Sequence, residues 1–94
     1  MIVWTASALQ DIHDAYTHIA ESNERAAERI NAAIFAAGES LSHFPRRGRH
    51  GRQNGTRELI VQSTPYYLVY RIRRDGAIII RRVMHMARDW PRRH

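Results

Sequence analysis

The chain predicts an α+β fold of order β-α-α-β-β-β, a helical hairpin packed on one face of a small, mainly antiparallel sheet. Three observations predict it. Two apolar stripes at helical spacing occupy the first half, separated by the short break Ser22-Asn23-Glu24. β-favouring runs occupy the second half, where alternation places every second side chain on one face. The last two runs flank Asp75-Gly76, a dipeptide favoured in tight hairpin turns.

Taken in order, Ile2-Val3-Trp4-Thr5 reads as a strand at a sheet edge, and Thr5 is placed to N-cap the first helix. Leu9, Ile12, Tyr16 and Ile19 form one stripe on that helix, from about Ala6 to Glu21. Ala27, Ile30, Ile34, Ala37 and Leu41 form a second on a helix from about Glu24 to Ser42, whose small residues let a neighbouring helix approach closely. The short connection makes the pair an antiparallel hairpin. Pro45 stops the helical pattern. The glycine- and arginine-rich segment from Pro45 to Gly55 has no apolar periodicity and reads as a loop, either a linker or an arm that contacts phosphate.

Strands are predicted over Thr56–Gln62, Tyr66–Arg73 and Ala77–His85. A two-residue Asp75-Gly76 turn pairs Ile72 with Ile79, Tyr70 with Arg81, Leu68 with Val83 and Tyr66 with His85 on the core face. The same register places Arg73 with Ile78, Arg71 with Ile80, Val69 with Arg82 and Tyr67 with Met84 on an open face. That face would be cationic and aromatic, with Tyr67 exposed and Ile78, Ile80, Met84 and Val69 forming an apolar patch that needs a partner.

Composition bounds the function. Ninety-four residues suit one domain, 1–94, too small for a core plus a deep substrate cavity. The absence of cysteine excludes disulfides, thiolate metal sites and a cysteine nucleophile. The six histidines show no H-E-x-x-H pattern, and His13 and His18, five apart on a helix, do not share a face, so no metal site is expected. Glycine patterns for nucleotide phosphates are absent, and no cofactor is expected. No apolar run approaches membrane-spanning length and no secretory pattern opens the chain, so a cytoplasmic protein without a membrane partner is expected.

All 15 basic residues are arginine, and 13 of them fall in residues 43–94, whereas six of the nine acidic residues fall in residues 1–42. This asymmetry points to an anionic partner for the second half. Arg71, Arg73, Arg81 and Arg82 are its candidates on the sheet, because the planar guanidinium fork suits phosphate and carboxylate. His85, at a strand end beside Tyr66 and near Arg88, is either an acid–base group for RNA cleavage or a structural histidine.

Several motifs together resemble the ParE/RelE superfamily of toxins from type II toxin–antitoxin systems. They are Trp4-Thr5-x-x-Ala8-Leu9-x-Asp11-Ile12, Leu41-x-x-Phe44-Pro45-x-x-Gly48-Arg49, Thr56-Arg57-Glu58-Leu59, Pro65-Tyr66-x-Leu68-Val69-Tyr70-Arg71 and Val83-x-His85-x-x-Arg88. The resemblance implies a toxin neutralised by a cognate antitoxin. Its target would be DNA gyrase in the ParE-like case. In the RelE-like case it would be the ribosome and its mRNA. The RelE-like ribonucleases carry a basic residue immediately before the Leu-Val-Tyr run, where this chain has Tyr67, so the resemblance leans to ParE. It carries target or nucleic-acid contacts to Arg57, Tyr67, Arg71, Arg81, Arg82 and Arg88. It carries antitoxin contacts to Ile80, Met84 and Arg73. In the RelE-like case alone, His85 would be catalytic.

Overall fold

A computed structural model describes residues 1–87. The chain begins with β1 (Ile2–Trp4), α1 (Ala6–Ala20) and α2 (Glu24–Ser40). Four strands complete it: β2 (Arg49–His50), β3 (Arg57–Ile60), β4 (Tyr66–Ile72) and β5 (Ile78–His85). They form one sheet of order β1-β5-β4-β3-β2. Only β1 runs parallel to its neighbour. The architecture is the predicted α+β layer pair, with β2 as one strand more than expected. It is two residues long and sits in the arginine-rich segment, which carries no periodicity to announce it.

Both helices begin on side-chain caps. The Thr5 hydroxyl accepts the Ala8 N–H at 3.1 Å, and the Asn23 amide oxygen accepts the Ala26 N–H at 3.0 Å. Each cap satisfies one of the N–H groups that a helix start leaves without an intrahelical partner. The buried stripe of α2 keeps the expected spacing through Ala27, Ile30 and Ile34. On α1 the stripe is rotated: Ala8 and Ile12 are buried, whereas Leu9 is 46% exposed and is corrected to a flank position. Ala8 permits the close approach to the sheet that a leucine would prevent. Gly38 has the same use on α2, since a Cβ there would lie 2.3 Å from the Trp4 ring.

The core lies between the helices and one sheet face, and contains Ile12, Ile30, Ile34, Leu59, Val61, Tyr66, Leu68, Tyr70, Ile78, Ile80 and Val83. The expected open-face position of Ile78 and Ile80 is therefore corrected, and the hairpin turn explains the difference. Arg73 and Ala77 close a three-residue loop, with the Arg73 N–H donating to the Ala77 carbonyl at 2.8 Å and the Gly76 N–H to the Arg73 carbonyl at 2.9 Å. Gly76 takes φ +90°, the left-handed position that such loops require. The longer loop shifts the register by one, pairing Ile72 with Ile78 and Tyr70 with Ile80. A bulge then shifts it back, so Val69–Arg82, Leu68–Val83, Tyr67–Met84 and Tyr66–His85 pair as expected. Arg81 is the extra residue of the bulge.

Candidate functional site

The sheet face turned away from the helices is the candidate site, and it is less open than alternation alone suggests. The segment after β2 folds across it. The Gly51 N–H donates to the Thr56 carbonyl at 2.8 Å, and the Thr56 N–H and hydroxyl both donate to the Gln53 carbonyl. The arginine-rich segment is therefore a compact turn. Glu58, on β3, ties it down from below. The carboxylate is almost fully buried, meets Arg49 at 3.1 Å and Arg52 at 3.8 Å, and accepts the Arg52 N–H at 3.2 Å. A buried carboxylate persists only where such partners compensate its desolvation.

Beneath this strap lie Tyr67 and Val69, each 3% exposed. The Arg52 guanidinium stands 5.8 Å from the centre of the Tyr67 ring, within cation–π range. The expectation that Tyr67 is the exposed aromatic of this face is corrected, and its hydroxyl is buried without a hydrogen-bond partner among the described residues. Burial, and after it the charge of Glu58, pushes the phenol above the ordinary tyrosine value, against the opposing pull of Arg52 and Arg49.

The expected arginines divide into two groups. Arg57 and Arg82 hold the fold. Arg57 donates to the carbonyls of Gly48 at 2.7 Å and Arg46 at 3.3 Å. Tyr70 completes that clasp: the Gly48 N–H donates to its hydroxyl at 2.9 Å, and the hydroxyl donates to the Pro45 carbonyl at 2.7 Å. Gly48 suits this approach, because a Cβ there would meet the Tyr70 ring and the Glu58 carbonyl at 2.8 Å. Arg82 donates to Asp11 at 2.7 and 2.9 Å. This bidentate bond raises the guanidinium pKa further still.

Arg71, Arg73 and Arg81 are exposed. Arg73 pairs with Asp75 at 2.7 Å on the hairpin tip. Arg71 lies two residues along β4 from Val69 on the outer face. Arg81, lifted by the bulge, borders a crevice of about 380 Å³ with Thr5, Ser7, Gln53, Val69 and Arg82. The two exposed arginines thus flank the strap on a rigid sheet. Met84 is half-buried beside Tyr67, whereas Ile80 is fully buried in the core, so its expected surface position is corrected. Arg88 lies outside the described residues.

His85 pairs with Tyr66 across the strands, and their rings meet edge to face at 5.0 Å. Its Nδ1 accepts the Ala87 N–H at 3.0 Å. Among the described residues no group of three or more His, Asp or Glu side chains is placed to hold a metal ion. Nor is any helix among them long and apolar enough to cross a membrane.

The family model described as the ParE toxin of the type II toxin–antitoxin system parDE matches residues 2–90. Y4kP of Sinorhizobium fredii is 39% identical over 90 residues, spanning 96% of this chain and 92% of the relative. Toxin RelE2 of Caulobacter vibrioides is 36% identical over 87 residues, spanning 93% and 96%. The solved chromosomal ParDE system of P. aeruginosa superposes with a TM-score of 0.79 at 22% identity over 89% of this chain and 92% of that one, a likeness of fold. The RelBE2 toxin–antitoxin complex of Mycobacterium tuberculosis gives 0.67 at 28% identity, over 90% and 95%. The protein is a type II toxin–antitoxin toxin of the ParE/RelE superfamily. Within that class, the chain belongs to the ParE toxin family.

Proposed function

We propose that this toxin arrests growth by inhibiting DNA gyrase, and that a cognate antitoxin neutralises it. The observation that carries the reading is the burial of Tyr67. It fills the position at which the resemblance to RelE-like ribonucleases calls for a cation, and it sits under Arg52 with no route to a substrate. Two further features support it. Arg82, a candidate for stabilising phosphorane charge, is committed to Asp11. The Nδ1 of His85 is taken up by a backbone N–H. Arg71 and Arg81 then act as a docking surface for the target and perform no chemistry.

A second reading, ribosome-dependent cleavage of mRNA with His85 as acid or base, is favoured by the similarity to toxin RelE2. A pair of variants separates the two. His85→Gln should arrest growth as the parent does, whereas Arg71→Ala with Arg81→Ala should lose arrest in folded protein. Loss of arrest in folded His85→Gln would move the assignment to mRNA cleavage.

A further inference from the structure

The helix side of the sheet carries a cationic cluster at its β2 end. β2 and β3 set His50 directly opposite Arg57, and β3 and β4 set Arg57 directly opposite Tyr70. Directly opposed residues share a face, so the three stand in one row across the sheet. Ile72, two residues beyond Tyr70, lies on the same face. Tyr70 is fully buried, Arg57 half-buried and His50 exposed, so the cover thins along the row. Where it thins there is a recess of about 190 Å³, lined by Arg46, His50, Gly55, Thr56, Arg57 and Ile72.

Arg57 is its fixed element. Its Nη1 donates to the carbonyls of Gly48 and Arg46, and these bonds set the direction of the guanidinium. They leave the Nε–Nη2 edge without a partner among the described residues. Arg82 grips the Asp11 carboxylate with that same edge of its own guanidinium. Arg57 thus keeps a preset, two-pronged donor edge that the fold does not use. Arg46 and His50 are exposed, and their side chains bond to nothing among the described residues. Glu58, next to Arg57 in sequence, turns to the other face, where Arg49 and Arg52 hold it. No acidic side chain lines the recess among the described residues.

Size and charge say what fits. Small-molecule pockets usually span about 300–1,000 Å³, so this smaller recess takes one group of a ligand. A carboxylate has two oxygens, which the Arg57 edge alone would satisfy. A tetrahedral phosphate directs further oxygens elsewhere, where two more cationic or N–H-bearing side chains stand. We propose that this recess binds a phosphate group, with the Nε–Nη2 edge of Arg57 on two oxygens and Arg46 and His50 donating to the rest. Ile72 supplies the apolar wall. The backbone of a nucleic acid and a phosphorylated small molecule both present that chemistry. The site does not depend on whether arrest comes from gyrase or from mRNA cleavage.

The test is a titration of the isotope-labelled full chain with inorganic phosphate, read by NMR at constant ionic strength, with acetate as control. Phosphate should give saturable shifts at the Arg57 Nε–H and at the amides of Arg46 and His50. Affinity should fall about tenfold or more in the Arg46→Gln, His50→Gln double variant. Both side chains are exposed, so the variant keeps the fold. Two further probes separate the sources. Saturable shifts at the same residues with an oligodeoxynucleotide lacking terminal phosphates assign the site to a nucleic-acid backbone. Shifts with adenosine monophosphate but not with that oligodeoxynucleotide assign it to a phosphorylated small molecule, and either result supports the site. Non-saturating shifts, equal binding of acetate, equal affinity for the double variant, or shifts confined to Arg71 and Arg81 would overturn it. Binding of inorganic phosphate and neither nucleotide probe would show an adventitious ion only, and would overturn it as well.

Discussion

Asp11 of α1 holds Arg82 of β5 through two hydrogen bonds and, with the oxygen 2.7 Å from the guanidinium, also accepts the Val83 N–H at 2.9 Å. β1 covers β5 only as far as Ile80, so beyond that point the strand has a bare edge. Asp11 takes the place of the missing strand, and Thr5 assists, its N–H donating to the Ile80 carbonyl and its hydroxyl to the Arg81 carbonyl. One carboxylate joins helix to sheet and fixes the bulge that presents Arg81.

We therefore predict that Asp11→Ala is destabilising. It leaves a half-buried guanidinium and a backbone N–H without their shared acceptor, a loss of about 2–3 kcal/mol. Arg82→Ala should lose less, since Asp11 keeps the Val83 N–H. Urea unfolding midpoints of the two variants check the order; equal midpoints with the parent would remove Asp11 from the account.

Arg71→Ala and Arg81→Ala should change the unfolding midpoint little, by under about 0.5 kcal/mol each, because both side chains are exposed. Their expected effect is on growth arrest. A large stability loss in either would show a structural role that the geometry does not contain.

Tyr67→Phe should leave stability at neutral pH unchanged or raise it by up to about 1 kcal/mol, since the hydroxyl is buried and bonds to nothing described. The raised phenol also sets a pH dependence. The folded chain keeps this proton beyond the ordinary value of 10.0, where the unfolded chain loses it. Stability is then fully present below pH 10.0 and falls as pH rises above it. Tyr70, raised chiefly by burial, adds to the same loss. Denaturation midpoints measured on either side of that pH should diverge less in Tyr67→Phe than in the parent. Marked destabilisation of this variant at neutral pH would mean that the hydroxyl has a partner.

Tyr70→Phe is the contrasting case. Its hydroxyl bridges the Gly48 N–H and the Pro45 carbonyl, and its removal strands both at a cost of about 1–3 kcal/mol. Circular dichroism melts of the two phenylalanine variants, run side by side, should move in opposite directions or differ by several degrees.

Much of this architecture is legible in the sequence because periodicity reports packing. The spacing of Ala27, Ile30 and Ile34 marks the buried face of α2, and Thr5 marks the start of α1. Alternation assigns Tyr70 to the core, where it is fully buried. The hairpin register beyond Val69 holds only because two local events cancel. The three-residue loop displaces β5 by one position, and the Arg81 bulge restores it. Between loop and bulge, Ile78 and Ile80 change face, and no alternation pattern signals a bulge. The outer face departs from expectation for a different reason. Tyr67 alternates outward as expected, but a segment from elsewhere in the chain covers it, and only Glu58 facing two arginines gives that away. An acidic residue at an outward strand position, opposite an arginine-rich loop, is the signal that could have found the strap. The Asp11–Arg82 clasp joins residues 71 apart and has no local signature.

The most direct measurement is DNA supercoiling by gyrase in the presence of purified, antitoxin-free protein. The account predicts inhibition with accumulation of cleaved DNA, retained by His85→Gln and lost with Arg71→Ala and Arg81→Ala together. Unimpaired supercoiling, from folded protein that still arrests growth, would contradict it and assign the arrest to cleavage of mRNA.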